Sequence, residues 1–259
     1  MKELEEYMKN YDATVEKNRL VNWIRDWFDK NGKDCKTVIG ISGGKDSSVV
    51  AGLCVEALGK DRVFGVLMPN GEQADIDCAY ELVEYLGIEY CKIDIHNAVM
   101  ALKREIKPQL DDRWSKQTST NLPPRIRMAT LYAVSQTING RVANTCNLSE
   151  SLLSWETRWG DAVGDFAPLA DLTVQEVKAI GYALNLPKNL IEKIPSDGLC
   201  GSSDEDALGF SYAVVDRYIR TGEIDDMSIK KAIDERVEKY RFKRLELPHF
   251  ESGLKRYID

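Results

Sequence analysis
Residues 37–53 read TVIGISGGKDSSVVAGL. A β-branched run leads into glycines, serines and one acid, and a helical pattern follows. Gly43 and Gly44 permit a tight turn and a close approach of backbone to ligand. Unpaired N–H groups at the start of the following helix favour an anion. Ser42, Ser47 and Ser48 add hydroxyl donors. Asp46 stands in the middle of this anion-holding loop, where its charge repels a bare phosphate at close range. A divalent cation between them removes the conflict, because Mg2+ takes one or two carboxylates together with phosphate oxygens. The chemistry implied is the handling of a metal-bound polyphosphate. The competing reading, that Asp46 merely caps the helix, accounts less well for the glycines and serines around it. The segment is neither a Walker A loop nor G-x-G-x-x-G, because Lys45 is followed by Asp46 and the glycine spacing differs.

The elements that must hold this loop are short β-branched runs at 37–41, 62–67, 89–95 and 141–145. Helical patterns at 47–58 and 73–86 separate the first three, at the spacing of βαβ units. Such alternation predicts an α/β fold, an open parallel sheet with helices on both faces. Ligands of such sheets bind at the carboxyl ends of the strands, where residues 40–48 fall. A helix is expected over 4–28, with Leu20, Trp23, Ile24, Trp27 and Phe28 on one face for core or subunit packing. Another is expected from about Pro124 to Ile138. The polar segment 107–121 reads as a loop, with Asp111 and Asp112 as solvated charges. Beyond Thr145 the pattern is helical and irregular. Thr173 and Glu176 form a capping box. Residues 202–222 read as one amphipathic helix ending at Gly222, and 226–244 as one more. With no repeat, low-complexity tract or clear linker, residues 1–259 read as a single domain, the helical carboxyl-terminal part packed on the sheet.

The bulk properties narrow the function. The net charge is −7 and the isoelectric point about 5.1. Such a chain gains little from a nucleic-acid backbone, so no nucleic-acid partner is expected. The 6 cysteines include no C-x-x-C pair, and the 2 histidines lie far apart, which argues against a zinc site. Free thiols in a reducing compartment, no apolar leader and no run of ~18 apolar residues point to a cytoplasmic protein without a membrane span.

SGGKDSS resembles the SGGxDS pyrophosphate loop of the N-type ATP pyrophosphatases, a superfamily with an adenine nucleotide alpha hydrolase-like, Rossmann-like fold. Other stretches resemble one branch of it, the ammonia-dependent NAD synthetases. They are LMPNGEQADIDCAYELVEYLGI (67–88), PRIRMATLYA (124–133), VANTCNLSESLLSWETRWGDAVGDFAPLADLT (142–173), IPSDGL (194–199), SSDEDALGFSYAVVDRYI (202–219) and KYRFKRLELP (239–248). The likeness runs in order from about residue 20 to 250.

The resemblance implies an ATP-dependent ligase. The carboxylate of deamido-NAD would attack the α-phosphorus of ATP, giving an acyl-adenylate and pyrophosphate, and ammonia would then release AMP and NAD. The loop residues Gly40, Ile41, Ser42, Gly43, Gly44, Lys45, Asp46 and Ser47, with Thr145 and Ser196, would hold ATP. Asp46 and Glu150 would hold Mg2+. Arg125, Arg158, Asp165 and Lys243 would contact deamido-NAD. Asp161 would lie beside the reacting carboxylate and, with Asp46, serve catalysis. A homodimer is implied, and the ammonia would be free or supplied by a separate partner, since no amidase segment is recognisable.

Three positions depart from the family pattern. A lysine that contacts ATP is Val174 here, with Lys178 one turn on. A terminal histidine is Phe242, and a Lys-Ala pair is Pro123-Pro124. These leave open an altered substrate. Val174 also leaves open a nucleotide-binding protein without turnover, and a sister adenylating enzyme such as a tRNA-thiolating one is a further alternative, which the acidic charge opposes.

Overall fold
The protein is described by a computed structural model covering residues 2–110, 113–193, 204–248, 250 and 252. The strands are β1 (Lys36–Gly40), β2 (Val63–Leu67), β3 (Glu89–Lys92) and β4 (Gly140–Val142). They form one sheet in the order β3-β2-β1-β4, with every pairing parallel. The helices are α1 (Lys2–Asn10), α2 (Ala13–Asn31), α3 (Lys45–Leu58), α4 (Ile76–Leu86), α5 (His96–Ile106) and α6 (Lys116–Thr137), then α7 (Leu148–Leu152), α8 (Val174–Ala183), α9 (Lys188–Ile191), α10 (Asp204–Leu208), α11 (Tyr212–Thr221) and α12 (Met227–Lys239).

Alternation along β1 divides the core. Ile39 joins Ile24, Phe28, Leu53 and Val177 on one face, whereas Val38 joins Val66, Met128 and Leu131 on the other. Both faces are therefore covered, as parallel strands require, and all of β2 is buried. A third apolar cluster, Leu153, Val174, Tyr212, Val215 and Ile233, packs α11 and α12 around α7 and α8. The face at 20–28 is mainly core: Ile24 and Phe28 are buried, Trp27 stacks on Phe166 at 4.8 Å, and Trp23 keeps 43% of its surface exposed.

Several elements differ from the sequence reading. The expected helix over 4–28 is two helices, because Asp12 leaves the helix to accept from the N–H groups of Thr14 and Val15, each at 3.0 Å. The segment read as a loop over 107–121 contains the start of α6, capped by Ser115, whose hydroxyl accepts from Thr118 N–H at 3.0 Å. Pro123 and Pro124 sit inside α6 although each removes a helical donor. A close approach holds this stretch: a Cβ on Gly160 would lie 3.0 Å from Pro124 Cβ. The helix over 202–222 breaks at Gly209, where φ is 81°. Strands β3 and β4 end three residues earlier than expected, at Lys92 and Val142. The edge is finished instead by the bridge from Ala143 to Phe166. Asp111 and Asp112 lie outside the described residues.

The helical layer is tied together by one carboxylate. Glu176, fully buried, accepts from Arg220 through both oxygens, from Tyr7 hydroxyl and, as the capping box expects, from Thr173 N–H, all at 2.7 Å. Burial raises its pKa, but the bonds from Arg220 and Tyr7 outweigh that and hold the carboxyl below the ordinary glutamate value. A depressed folded pKa means that the stabilisation is present above the unfolded pKa and is lost as the pH falls through the folded one. Glu176→Gln is expected to cost about 3 kcal/mol in urea unfolding at pH 7, since it leaves a half-buried guanidinium without its charge partner. The difference from the parent should shrink as the pH drops below about 4.3, the unfolded glutamate value.

Candidate active site
A cavity of about 650 Å3 opens where the ends of β1, β2 and β4 meet, lined there by Gly40, Met68 and Ala143. The loop after β1 forms one wall. Gly43 has φ 74°, and a Cβ on it would lie 2.6 Å from the backbone nitrogen of Ala79. Only glycine lets this turn lie against the start of α4. The turn is held from within. Ser42 Oγ accepts from Gly44 N–H at 3.2 Å, and Ser48 Oγ donates to the Gly44 carbonyl at 2.7 Å. The Ser42 and Ser47 hydroxyls lie 3.1 Å apart. Gly44 starts α3 without a side-chain cap, so the positive end of the helix faces the cavity.

Beside the loop lies a compact charge cluster. Lys45, only 3% exposed, places its Nζ 2.7 Å from Asp46 Oδ2 and 3.4 Å from Glu150 Oε1. Burial lowers the lysine pKa, but the two carboxylates win and raise it well above the usual range. Glu150 is pushed up by burial and by Asp46, and drawn back by Lys45. Asn147 joins the acids: its Oδ1 accepts from Glu150 N–H at 3.1 Å and its Nδ2 donates to Asp46 Oδ1 at 3.0 Å. One cation already bridges the two carboxylates, and both are hard oxygen donors. A divalent cation that keeps waters or takes phosphate oxygens suits this pair. Among the described residues no group of three or more His, Cys, Asp or Glu is placed to hold a metal alone.

The cavity lining also includes Asp161. Its Oδ1 accepts from Thr157 N–H at 2.9 Å, and burial raises its pKa. Its carbonyl accepts from Asn144 Nδ2 at 2.8 Å. Cys146 also reaches that carbonyl, and burial first and the acids around it second hold its thiol protonated. No thiolate nucleophile is offered here.

Most of the residues singled out in the sequence converge. Gly40, Ile41, Ser42, Gly44, Lys45, Asp46, Ser47, Thr145, Glu150, Asp161 and Lys243 line the cavity. The Gly43 carbonyl accepts from Lys193 at 3.3 Å. Arg125, Arg158 and Asp165 do not line it. Arg125 Nε donates to the Arg158 carbonyl at 3.3 Å. The Arg158 guanidinium lies over the rings of Trp159 and Phe242, at 4.9 and 5.7 Å. Phe242, at the family's histidine position, thus packs on a cation. Asp165 serves the sheet edge, accepting from Val142 N–H at 2.7 Å and Tyr132 hydroxyl at 3.2 Å. Ser196 lies outside the described residues.

The other departures also have places. Val174 is buried in the third apolar cluster, with no side chain on the cavity. Lys178 pairs with Glu192 at 3.0 Å and does not replace the missing lysine. The lysine that does reach the loop is Lys193, which also pairs with Asp75. It was missed because it lies 150 positions from Gly43. Asn147 was missed as well, although an asparagine three residues before Glu150 is a legible helix start. Lys116, Arg127 and Arg236 complete the basic lining.

A parallel sheet whose first crossover carries an SGGxDS loop, with an acid pair beside it, defines a nucleotide-handling domain of the adenine nucleotide alpha hydrolase-like class. The profile of the NAD synthase family matches residues 16–251, and the chain belongs to that family. It is 37% identical over 246 residues to the NH(3)-dependent NAD(+) synthetase of Archaeoglobus fulgidus, covering 92% of this chain and 96% of that protein. It is 35% identical over 240 residues to the enzyme of that description from Pyrococcus furiosus, covering 89% of each. Among solved structures, the NMN synthetase of Francisella tularensis superposes with a TM-score of 0.85 at 31% identity, over 93% of this chain and 99% of that one. The NH3-dependent NAD synthetase of Campylobacter jejuni gives 0.76 at 29%, over 93% and 100%.

The Asn147 bridge is testable without any ligand. Asn147→Ala removes the cap of α7 and the donor to Asp46. Chemical unfolding should report a loss of about 1–2 kcal/mol.

Proposed function
We propose that this protein is an ATP-dependent ligase that converts the carboxylate of a nicotinate nucleotide to the amide with ammonia, releasing AMP and pyrophosphate. Deamido-NAD is the acid in the reading that the family supports, and NAD the product. The observation that carries it is the joining of the glycine–serine loop, the Asp46–Glu150 pair and Asp161 around one cavity, in a chain of this family.

A carboxylate is a poor acyl donor to ammonia, because oxide is a bad leaving group. Activation by ATP solves this. A carboxylate oxygen bonds to the α-phosphorus as the bond to pyrophosphate breaks. Ammonia then bonds to the acyl carbon as AMP leaves, and a proton departs from nitrogen. Gly40, Ile41, Ser42, Gly43, Gly44, Lys45 and Ser47 hold the ATP phosphates in this reading, and the open end of α3 stabilises charge moving onto pyrophosphate. Thr145 and Ser196 are assigned to the rest of ATP. Asp46 and Glu150 hold Mg2+, which when bound neutralises phosphate charge. Asp161 draws ammonium to the acyl carbon or accepts its proton. Lys243, tied to the carbonyls of Ser154 and Glu156 at 3.2 and 3.3 Å, contacts the acid substrate. Arg125, Arg158 and Asp165, off the cavity wall, are assigned to the distal part of a long dinucleotide.

A second reading keeps the chemistry and shortens the acid to nicotinate mononucleotide. Its support is the higher TM-score to the NMN synthetase, 0.85 against 0.76. Release of AMP and pyrophosphate from ATP and ammonium, with each acid in turn, separates the two. Turnover with the dinucleotide supports the first reading and turnover with the mononucleotide alone the second; silence with both overturns the ligase assignment. Asp161→Ala should retain ATP binding by calorimetry and lose turnover by about 10²-fold or more. Glu150→Gln should raise the Mg2+ concentration needed for half-maximal nucleotide binding.

We also propose a homodimer. Leu102, Ile106 and Leu110, between 36% and 42% exposed on and just after α5, offer an apolar face. No helix among the described residues is long and apolar enough to cross a membrane. Sedimentation at micromolar concentration should return twice the chain mass, and Leu102→Glu should return the single mass.

A further inference from the structure
Of the cations that line the cavity, Lys45, Lys116, Arg127, Lys193, Arg236 and Lys243, two are paired with carboxylates among the described residues. Lys45 lies between Asp46 and Glu150. Lys193 is paired with Asp75, and Lys243 donates to two backbone carbonyls. The Arg236 Nε donates to the Leu153 carbonyl at 2.6 Å, and its guanidinium lies against the rings of Trp155 and Tyr240, at 5.0 and 5.3 Å, a contact Arg127 lacks among the described residues. Arg127 differs. Its Nε donates to the Met68 carbonyl at 3.0 Å, and its two terminal nitrogens have no hydrogen-bond partner among the described residues. Burial lowers its pKa, and Asp161 is the charge that acts against this, from beyond ion-pair distance. A half-buried guanidinium without a carboxylate gains little from its surroundings. It becomes favourable when a ligand brings the anion.

The anchoring bond selects the anion's shape. With Nε spent on Met68, the free edge of Arg127 is its end, where two parallel N–H groups match the two oxygens of a planar carboxylate. Its place matches as well, because Arg127 and Asp161 line the same cavity. We propose that Arg127 is the specificity-determining clamp for the substrate's pyridine carboxylate, holding it end-on opposite Asp161. This rests on the amidation reading above. The clamp has a directional consequence. The acid enters with a negative charge and the amide leaves without one, so Arg127 favours substrate over product and loses its hold as the reaction completes.

The test is binding, measured by titration calorimetry on the full chain without ATP. The probes are two acid–amide pairs: nicotinate against nicotinamide mononucleotide, and deamido-NAD against NAD. The parent should bind the acid of at least one pair about tenfold or more tightly than its amide, the size expected of a charge-assisted bidentate contact. Arg127→Met should bring that ratio to near one, with ATP affinity within about twofold of the parent. Arg127→Lys keeps the charge without the fork and should give an intermediate ratio; it also carries the test if the methionine variant melts early. An unchanged ratio in a folded variant overturns the clamp. So does a fall in ATP affinity with the ratio intact, which would assign Arg127 to a nucleotide phosphate. If the parent releases AMP with an acid substrate but Arg127→Met retains its preference, only the clamp fails. If the parent neither binds a pyridine nucleotide nor releases AMP, the ligase reading and the clamp fall together.

Discussion
The site is organised by repulsion between Asp46 and Glu150. Two carboxylates are drawn together at the mouth of a loop that exposes N–H groups, and neither tolerates the other without positive charge between them. Lys45 supplies that charge within the chain, with Nζ 2.7 Å from one acid and 3.4 Å from the other. The cost of burying these three charges is met by their mutual attraction and by the amide of Asn147. A cluster that is neutralised from within but made wholly of hard oxygen donors and one movable ammonium is suited to exchanging its cation. Asp46 and Glu150 would hold such an ion, and Lys45 would lie beside the phosphates it brings. The loop, the acid pair and α7 are therefore one device.

That device is held from behind by the helical layer. Ser149, between Asn147 and Glu150, donates to Asp216 of α11 at 2.5 Å and accepts from Val174 N–H at 3.2 Å. Asp216 also accepts from Gln175 N–H at 2.9 Å, so one buried carboxylate and one hydroxyl close the start of α8. Burial raises the Asp216 pKa to about 6. Val174 belongs to this closure and to the apolar cluster beneath it. A lysine there would have to carry its charge past Tyr212 and Leu153, which makes the valine intelligible as packing. The positive charge at the loop comes instead from Lys193, at the end of a different segment.

Much of this was legible in the linear chain, for local reasons. Strand alternation gave the parallel sheet, and the loop glycines and serines marked the ligand side of β1. Asp46 in an anion loop implied a cation, and an ordered likeness along the chain pointed to Glu150, Thr145 and Asp161. Where the reading failed, the deciding forces were non-local or competed closely. Asp12 broke a helix by accepting two backbone donors. Gly209 broke another that amphipathic spacing alone would have continued. The helix expected from about Pro124 starts at Lys116 and runs through both prolines, where Gly160 gives the chain room to pack against them.

The sequence by itself determined the class of chemistry, because loop composition and strand-to-helix spacing depend on residues a few positions apart. Only the tertiary structure decided which charged side chains reach the cavity. Arg125 and Arg127 are two residues apart on one helix, and about 200° of helical rotation separates them. The first donates to the Arg158 carbonyl and the second to Met68 on the cavity wall. Asp165, off the cavity wall, accepts from Val142 N–H at the sheet edge, whereas Lys193 and Asn147, not singled out in the sequence, reach the loop and the acid pair. Charge placement depends on which face of an element meets which neighbour, and that is settled only when the helices have packed.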